Sequence, residues 1–225
     1  GVETSVETMT ESTPALTGPV ATRSTYLGLF LVTLSTLAFQ ILLTRIFSVT
    51  IWYHFAFLTV SIAMLGMTIG AITVYLFPRV FTEERAHVHL ARSAFVFALT
   101  IALSVLVHLE VPVKMDATVD SIASIVFTCL LITVPFTASG ICVALALTKF
   151  SRQVSTLYAA DLAGAAVGCL SLVALFWVTD GPTAVFAVAL LANLGAVLFT
   201  WRAESPVLSR WVAGSAILLA LFVVG

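Results

Sequence analysis

Charged side chains are scarce in this sequence, which has 10 Lys and Arg and 11 Asp and Glu among 225 residues. They make up 9% of the chain, whereas they are about a quarter of a typical soluble domain. Two long stretches, residues 51–78 and 121–148, contain no Asp, Glu, Lys or Arg. Each is longer than the roughly 20 apolar residues that cross a bilayer core as a helix. This scarcity of charge excludes an ordinary soluble domain and predicts a membrane protein.

The sequence also lacks the motifs of common cofactor and nucleic-acid sites. Its three cysteines lie inside apolar stretches, without a CxxC pair or a Cys/His metal spacing, so we interpret them as small packing residues: Cys129, Cys142 and Cys169. The net charge of −1 argues against nucleic acid as a partner, and we expect none. The sequence requires no metal or other cofactor.

The apolar stretches predict an all-α, polytopic transmembrane bundle. A bilayer offers the backbone no water partners, so spanning segments satisfy their amides internally as helices. The polar, Thr/Ser/Glu-rich residues 1–25 are predicted to be a disordered tail, and residues 26–225 the bundle. We predict seven spans, near residues 26–47, 51–77, 91–109, 122–148, 158–178, 182–201 and 211–224.

The distribution of basic residues predicts the orientation of the bundle. Eight basic residues lie on the N-terminal side of the predicted spans: Arg23, Arg79, Arg85, Arg92, Lys149, Arg152, Arg202 and Arg210. Only Arg45 and Lys114 lie on the other side. Basic loops stay in the cytoplasm, so we predict a cytoplasmic N-terminus. The last span ends without a polar flank, and we expect the chain to continue past Gly225.

The first predicted span carries a polar face. Its polar residues recur at spacings of three or four: Thr33, Thr36, Gln40, Thr44 and Ser48. Such spacing places them on one side of a helix, which should point into the bundle rather than at lipid. Arg45 near the end of this span is either an interfacial residue or a contact for an anion or substrate.

Two predicted spans contain the GxxxG pattern, with Gly66 and Gly70 in the second and Gly164 and Gly168 in the fifth. Glycines four residues apart allow two helix backbones to approach closely. We therefore predict that both glycine faces lie against neighbouring helices.

Asp161 lies on the glycine face of the fifth span, about one turn from its predicted start. In a structural interpretation, the helix dipole favours this carboxylate and Lys149 or Arg152 neutralises it. In a functional interpretation, Asp161 relays protons or couples transport. The sequence leaves both open.

Three further features concern histidines and a proline. His54 and His108 are predicted at similar depth near span ends, and one hypothesis is that they ligate a haem. His87 and His89 are predicted to be solvated in a charged loop. Pro135 should kink the fourth span, either as a packing feature or as part of a transport site.

Several stretches together carry a family resemblance. They are FQILLTRIFS at 39–48, WYHFAF at 52–57, SIAMLG at 61–66, Pro135-Phe136 with Gly140, and LYAADLAGAAVG at 157–168. Over residues 26–200 the chain resembles the N-terminal membrane region of bacterial spermidine-synthase-like membrane proteins. The resemblance implies a multispan module joined to a Rossmann-type aminopropyltransferase-like domain. No glycine-rich turn after a soluble strand occurs here, so no catalytic residue of that family can be placed on this chain.

The resemblance leads to one functional expectation with two alternatives. We expect a non-catalytic membrane module that acts as an anchor or helix-packing partner in the bacterial cytoplasmic (inner) membrane. Its partners would be the lipid bilayer and either other membrane subunits or a missing C-terminal domain. The first alternative is an accessory subunit of a photosynthetic or respiratory complex, which an optical spectrum of the native assembly would detect. The second is a transporter core.

Overall fold

The computed structural model describes residues 19–50, 55–110, 119–178, 180–201, 203 and 205–224. Within these ranges every element longer than one turn is an α-helix. The helices are α1 (Arg23–Thr50), α2 (Phe55–Leu76), α3 (Ala86–Glu110), α4 (Val119–Lys149), α5 (Val154–Val178), α6 (Gly181–Thr200) and α7 (Pro206–Val224). A short 3-10 turn, Ser151–Gln153, connects α4 to α5.

All seven helices are long and apolar enough to cross a membrane, which confirms the predicted all-α transmembrane bundle. Several helices begin before the predicted spans: α1 at Arg23, α3 at Ala86, α5 at Val154 and α7 at Pro206. Apolar length marks only the part of a helix inside the hydrocarbon, and these helices continue into polar residues at the interface.

The early start of α3 corrects one prediction. His87 and His89 are not solvated loop residues, because they lie half-buried in the first turns of α3. The ring of His87 makes an edge contact with Phe150, and that of His89 makes one with Phe81.

Contacts between helices show their relative directions. Thr36 of α1 contacts Ser139 of α4, and Phe39 of α1 contacts Phe136 of α4. The later residue of α1 contacts the earlier residue of α4, so the two helices are antiparallel. The same holds for α6 and α7, which pair through Asn193–Ser215 and Phe186–Phe222. Odd-numbered and even-numbered helices therefore run in opposite directions, as expected for successive membrane crossings.

Five helices form a closed ring in the order α1, α2, α4, α3 and α6, with each one contacting the next. Outside this ring, α5 packs mainly on α1, and α7 packs mainly on α6. In α1 and α6, 61% of the apolar segment is buried, against 17% in α5 and 11% in α7. The last two helices are therefore peripheral, and most of their surface faces the surroundings of the bundle.

One end of the bundle gathers the starts of the odd-numbered helices, and we call it the N-terminal side. The backbone amide of Ala21 donates to the side-chain oxygen of Gln153 at 2.6 Å, which ties the start of α1 to the α4–α5 connection. The described basic residues at this side are Arg23, Arg79, Arg85, Arg92, Lys149, Arg152 and Arg210. Arg45 lies towards the opposite side, whereas Lys114 and Arg202 are outside the described residues, as is most of the predicted tail.

Candidate functional site

A polar contact between α1 and α5 lies inside the membrane-spanning region. Thr33 is buried, and its hydroxyl lies 2.8 Å from a carboxyl oxygen of Asp161 and 2.9 Å from the carbonyl oxygen of Leu29. A hydroxyl group has one proton to donate and two lone pairs to accept. Thr33 can therefore donate to one of these oxygens at a time, and it can accept a bond when the carboxyl group carries a proton.

A second polar contact joins α1 to α4. The hydroxyls of Thr36 and Ser139 lie 2.5 Å apart and both residues are buried. Thr36 also lies 2.8 Å from the carbonyl oxygen of Val32. When Ser139 donates to Thr36 and Thr36 donates to Val32, the two buried hydroxyl protons are both used. Side-chain hydrogen bonds of this kind between membrane helices contribute roughly 0.6–2 kcal/mol each.

The rest of the polar face of α1 makes shorter-range contacts. Gln40, Thr44 and Ser48 are half-buried. The hydroxyls of Thr44 and Ser48 donate to backbone carbonyls of their own helix, those of Gln40 and Arg45. The side chain of Arg45 is exposed towards the end of α1, where a long basic side chain can reach the interface.

Asp161 lies deeper in the helix than the sequence indicated. It is roughly 10 Å from the start of α5 at Val154, at 1.5 Å per residue, so it is two turns inside rather than one. The effect of the helix dipole falls off within the first turn. The Thr33 hydroxyl bonds to the carboxyl group of Asp161 from α1.

The glycines of α5 lie directly against the backbone of α1. A Cβ atom at Gly164 would collide with the carbonyl oxygen of Phe30, and one at Gly168 would lie 2.5 Å from that of Leu34. The later glycine of α5 contacts the later residue of α1, so the two helices run in the same direction. Since Asp161 shares this face, the close approach of the two backbones brings its carboxyl group within reach of Thr33.

The glycines of α2 make a similar interface with α4. A Cβ at Gly66 would lie 2.6 Å from Phe136, and one at Gly70 would collide with the carbonyl oxygen of Thr137. Gly140 of α4 faces back towards α2, because a Cβ there would lie 2.6 Å from the carbonyl oxygen of Met67. Both GxxxG pairs are thus in contact with a parallel helix of the same chain.

The remaining candidate residues form no common site in the described ranges. Pro135 is buried and α4 runs through it as one helix. The hypothesised haem ligands lie outside what the structure describes, since His54 is not described and only the backbone of His108 is. In the described part of the chain, no three His, Cys, Asp or Glu side chains come together as a metal site would require.

Two packing features were missed by sequence reasoning. Asn193, the single asparagine of the chain, is buried in α6 and its amide donates to the Ser215 hydroxyl and the Val212 carbonyl of α7. A lone amide in the middle of an apolar span was the signal for this contact. At the second feature, Gly28 and Gly195 bring α1 and α6 together, but the two glycines are on different spans and form no sequence pattern.

The cysteines differ in their surroundings. Cys142 is fully buried between α4 and α3, with its sulfur 3.9 Å from the carbonyl oxygen of Leu90. Cys129 is half-buried, whereas Cys169 is exposed on the surface of α5. A packing role inside this chain therefore fits Cys142 and not Cys169.

Three of the described side-chain to side-chain hydrogen bonds join different helices, and they are suited to holding those helices in register. Most other described Thr and Ser hydroxyls inside the bundle bond to a backbone carbonyl of their own helix. Asp161 differs from the others because it can also gain and lose a proton. Comparisons of the chain with protein-family models, with curated proteins and with solved structures each gave no match.

Proposed function

We propose that this chain is the non-catalytic membrane module of a spermidine-synthase-like protein in a bacterial cytoplasmic membrane, where it serves as an anchor or helix-packing partner. The observation that carries the proposal is the use of the intramembrane polar groups. Three side-chain contacts join α1 to α5, α1 to α4 and α6 to α7, and so help to hold these helices together. The resemblance of residues 26–200 supplies the family.

The exposed face of α5 supports the helix-packing role. Gly164 and Gly168 face α1, and the opposite face of α5 carries exposed small residues at helical spacing: Ser155, Ala159, Ala163 and Ala166. Small side chains offer lipid little contact area, but they allow another helix to approach closely. This face is suited to a helix of another subunit or of a further part of the same protein.

Photocrosslinking in native membranes tests the packing role. A photoreactive residue at Ala163 should form adducts with protein, either another chain or a segment outside residues 1–225. The matched position is Met64, an exposed residue on α2 with a large apolar side chain, where adducts should form with lipid alone. Adducts with lipid alone at both positions would contradict the packing role.

Donor binding tests the non-catalytic part of the proposal. Group transfer of the aminopropyl or methyl kind requires a bound nucleotide donor held by a glycine-rich turn and an acidic partner. Equilibrium dialysis of purified residues 1–225 against S-adenosylmethionine and its decarboxylated form should show no saturable binding. Stoichiometric binding of either donor would overturn the proposal.

One observation favours a second candidate, a transporter core. Asp161 is a carboxyl group inside a membrane helix, and such groups often mark ion or proton pathways. Proton flux into vesicles containing the purified chain, followed with a pH-sensitive dye, separates the two functions. A transporter should show flux that Asp161→Asn abolishes, because the amide cannot exchange a proton. An anchor should match empty vesicles with either protein.

A further inference from the structure

A groove of about 580 Å³ lies between α3 and α7. Its walls are mostly apolar, with one basic residue at one end, and include Phe95, Leu99, Arg210, Trp211, Gly214 and Leu218. Leu99, Trp211 and Leu218 are each exposed over 41% or more of their surface, so the groove opens towards the surrounding membrane. Its volume is in the range of ligand sites, which are roughly 300–1,000 Å³.

The groove changes from basic to apolar along its length. Both α3 and α7 begin on the N-terminal side, and Arg210 lies about one turn from the start of α7. Leu218 lies roughly 12 Å further along α7, at 1.5 Å per residue. On α3, exposed Arg92 is one turn before Phe95 and on the same face. Arg210 therefore lines the interfacial end of the groove, Arg92 lies just beyond that end on the α3 side, and apolar side chains line the groove towards the membrane interior.

We propose that this groove binds an anionic glycerophospholipid, with one acyl chain between α3 and α7 and the phosphate group on Arg92 and Arg210. The charge pattern matches such a lipid, which has an anionic head and an apolar chain. Within the described part of the chain neither guanidinium has a carboxylate partner, so both are free to bind phosphate. Trp211 lies beside Arg210 near the start of α7, and indole rings prefer the membrane interface.

The shape of the groove also favours an acyl chain over a helix. An α-helix with its side chains is about 10 Å across. Because α3 and α7 contact each other directly, no helix can lie between them at that contact. At Gly214 a Cβ atom would meet nothing within 4 Å, which leaves room along α7 for a thin, flexible chain.

Lipid selectivity tests the charged end of the site. Purified, delipidated residues 1–225 are titrated with dioleoyl-phosphatidylglycerol or dioleoyl-phosphatidylcholine in detergent, and bound lipid is counted by native mass spectrometry. The wild type should bind the anionic lipid more tightly. Arg92→Gln with Arg210→Gln should weaken its binding about 10- to 30-fold, since each basic residue contributes about a factor of five. Equal binding of the two lipids by the wild type would show ordinary membrane contact and overturn the proposal.

Filling the groove tests its apolar part. Gly214→Leu places a side chain in open space, so it should block the acyl chain without disturbing the packing of α7. Its melting temperature without lipid should stay at or slightly above the wild-type value, since leucine also favours helix over glycine, while binding of both lipids falls. Ala213→Leu is the matched control, because it adds the same side chain on another exposed face of α7. Unchanged lipid binding in Gly214→Leu, or a dimer that this variant abolishes, would refute lipid occupancy.

Discussion

Thr33 and Thr36 are less than one helical turn apart, yet their hydroxyls contact two different helices. Thr33 contacts Asp161 on α5, and Thr36 contacts Ser139 on α4. Thr44, two turns further along α1, bonds to a carbonyl of its own helix. Three threonines on one polar face therefore differ in what they do for the fold. Thr33 and Thr36 can stabilise the tertiary structure, whereas the hydroxyl of Thr44 bonds only within its own helix.

This difference leads to a prediction at the residue scale. Thr33→Val keeps the shape of the side chain but removes the hydroxyl that reaches Asp161. We expect the free energy of unfolding in mixed micelles to fall by about 0.6–2 kcal/mol, the range for such bonds between membrane helices. Thr44→Val should change it by much less, because no other helix loses a partner.

A double-mutant cycle isolates the Thr33–Asp161 bond from other effects of the substitutions. The double variant Thr33→Val/Asp161→Ala should lose less free energy of unfolding than the two single variants lose in sum, because each substitution removes the same interaction. Strictly additive costs would mean that this bond contributes nothing to stability.

At the scale of elements, the helix pairs differ in what limits their approach. Gly168 of α5 faces backbone atoms of Leu34, whereas Gly28 of α1 faces the ring of Phe199 on α6. A side chain can change its rotamer or be truncated, but backbone atoms move only if the whole helix moves. The α1–α5 and α1–α6 interfaces should therefore respond differently to added methyl groups.

For the α1–α5 pair we predict that Gly168→Ala destabilises the protein by about 1–3 kcal/mol, the usual cost of overpacking. Its Cβ would lie 2.5 Å from the Leu34 carbonyl oxygen, and Leu34→Ala should give no rescue. The matched control is Gly214→Ala, where a Cβ meets nothing within 4 Å. This change should raise stability by up to about 1 kcal/mol, since alanine favours helix over glycine. Unfolding titrations of the three variants check the signs, and a stabilising Gly168→Ala would contradict the interface.

For the α1–α6 pair we predict a rescue. In Gly28→Ala the new Cβ would lie 2.7 Å from the Phe199 ring, so the variant should lose about 1–3 kcal/mol. Phe199→Leu alone should also destabilise, because it leaves a cavity where a buried ring was. The double variant Gly28→Ala/Phe199→Leu should lose at least about 1 kcal/mol less free energy of unfolding than the two single variants lose in sum. Additive costs would show that the two residues do not limit each other.

At the scale of the whole molecule, the alternating helices gather most described basic residues on the N-terminal side. Arg23, Arg85, Arg152 and Arg210 belong to different segments of the chain, and successive crossings bring these segments to one end. Such an excess of basic residues is typical of the cytoplasmic side. The cytoplasmic location of the N-terminus is a prediction that the arrangement makes testable.

Cysteine labelling of intact cells tests this orientation. The native Cys129, Cys142 and Cys169 are first replaced by alanine, and single cysteines are then introduced at two exposed loop positions. Arg85→Cys should resist a membrane-impermeant reagent added outside. Asp180→Cys, at the start of α6 on the opposite side, should be labelled. The reverse pattern would invert the proposed topology.

Much of the architecture was predictable from the sequence because apolar length is a local property. A stretch such as residues 121–148 has to cross the bilayer as a helix, whatever its neighbours are. The polar face of α1 and the glycine faces of α2 and α5 were likewise visible as spacings along one helix. Helix ends were less predictable, as His87 and His89 show, because a helix can continue into polar residues where apolar length gives no signal.

The sequence by itself therefore determined the class of protein, the number of spans and the faces suited to close packing. Only the tertiary structure decided which helices meet: α5 packs on α1, α2 on α4, and Asn193 reaches α7. The physical reason is that packing partners are selected by the fit of two surfaces distant in sequence, and no spacing within one helix encodes the shape of the other. The same holds for the α3–α7 groove, whose walls come from two helices that lie far apart in the sequence.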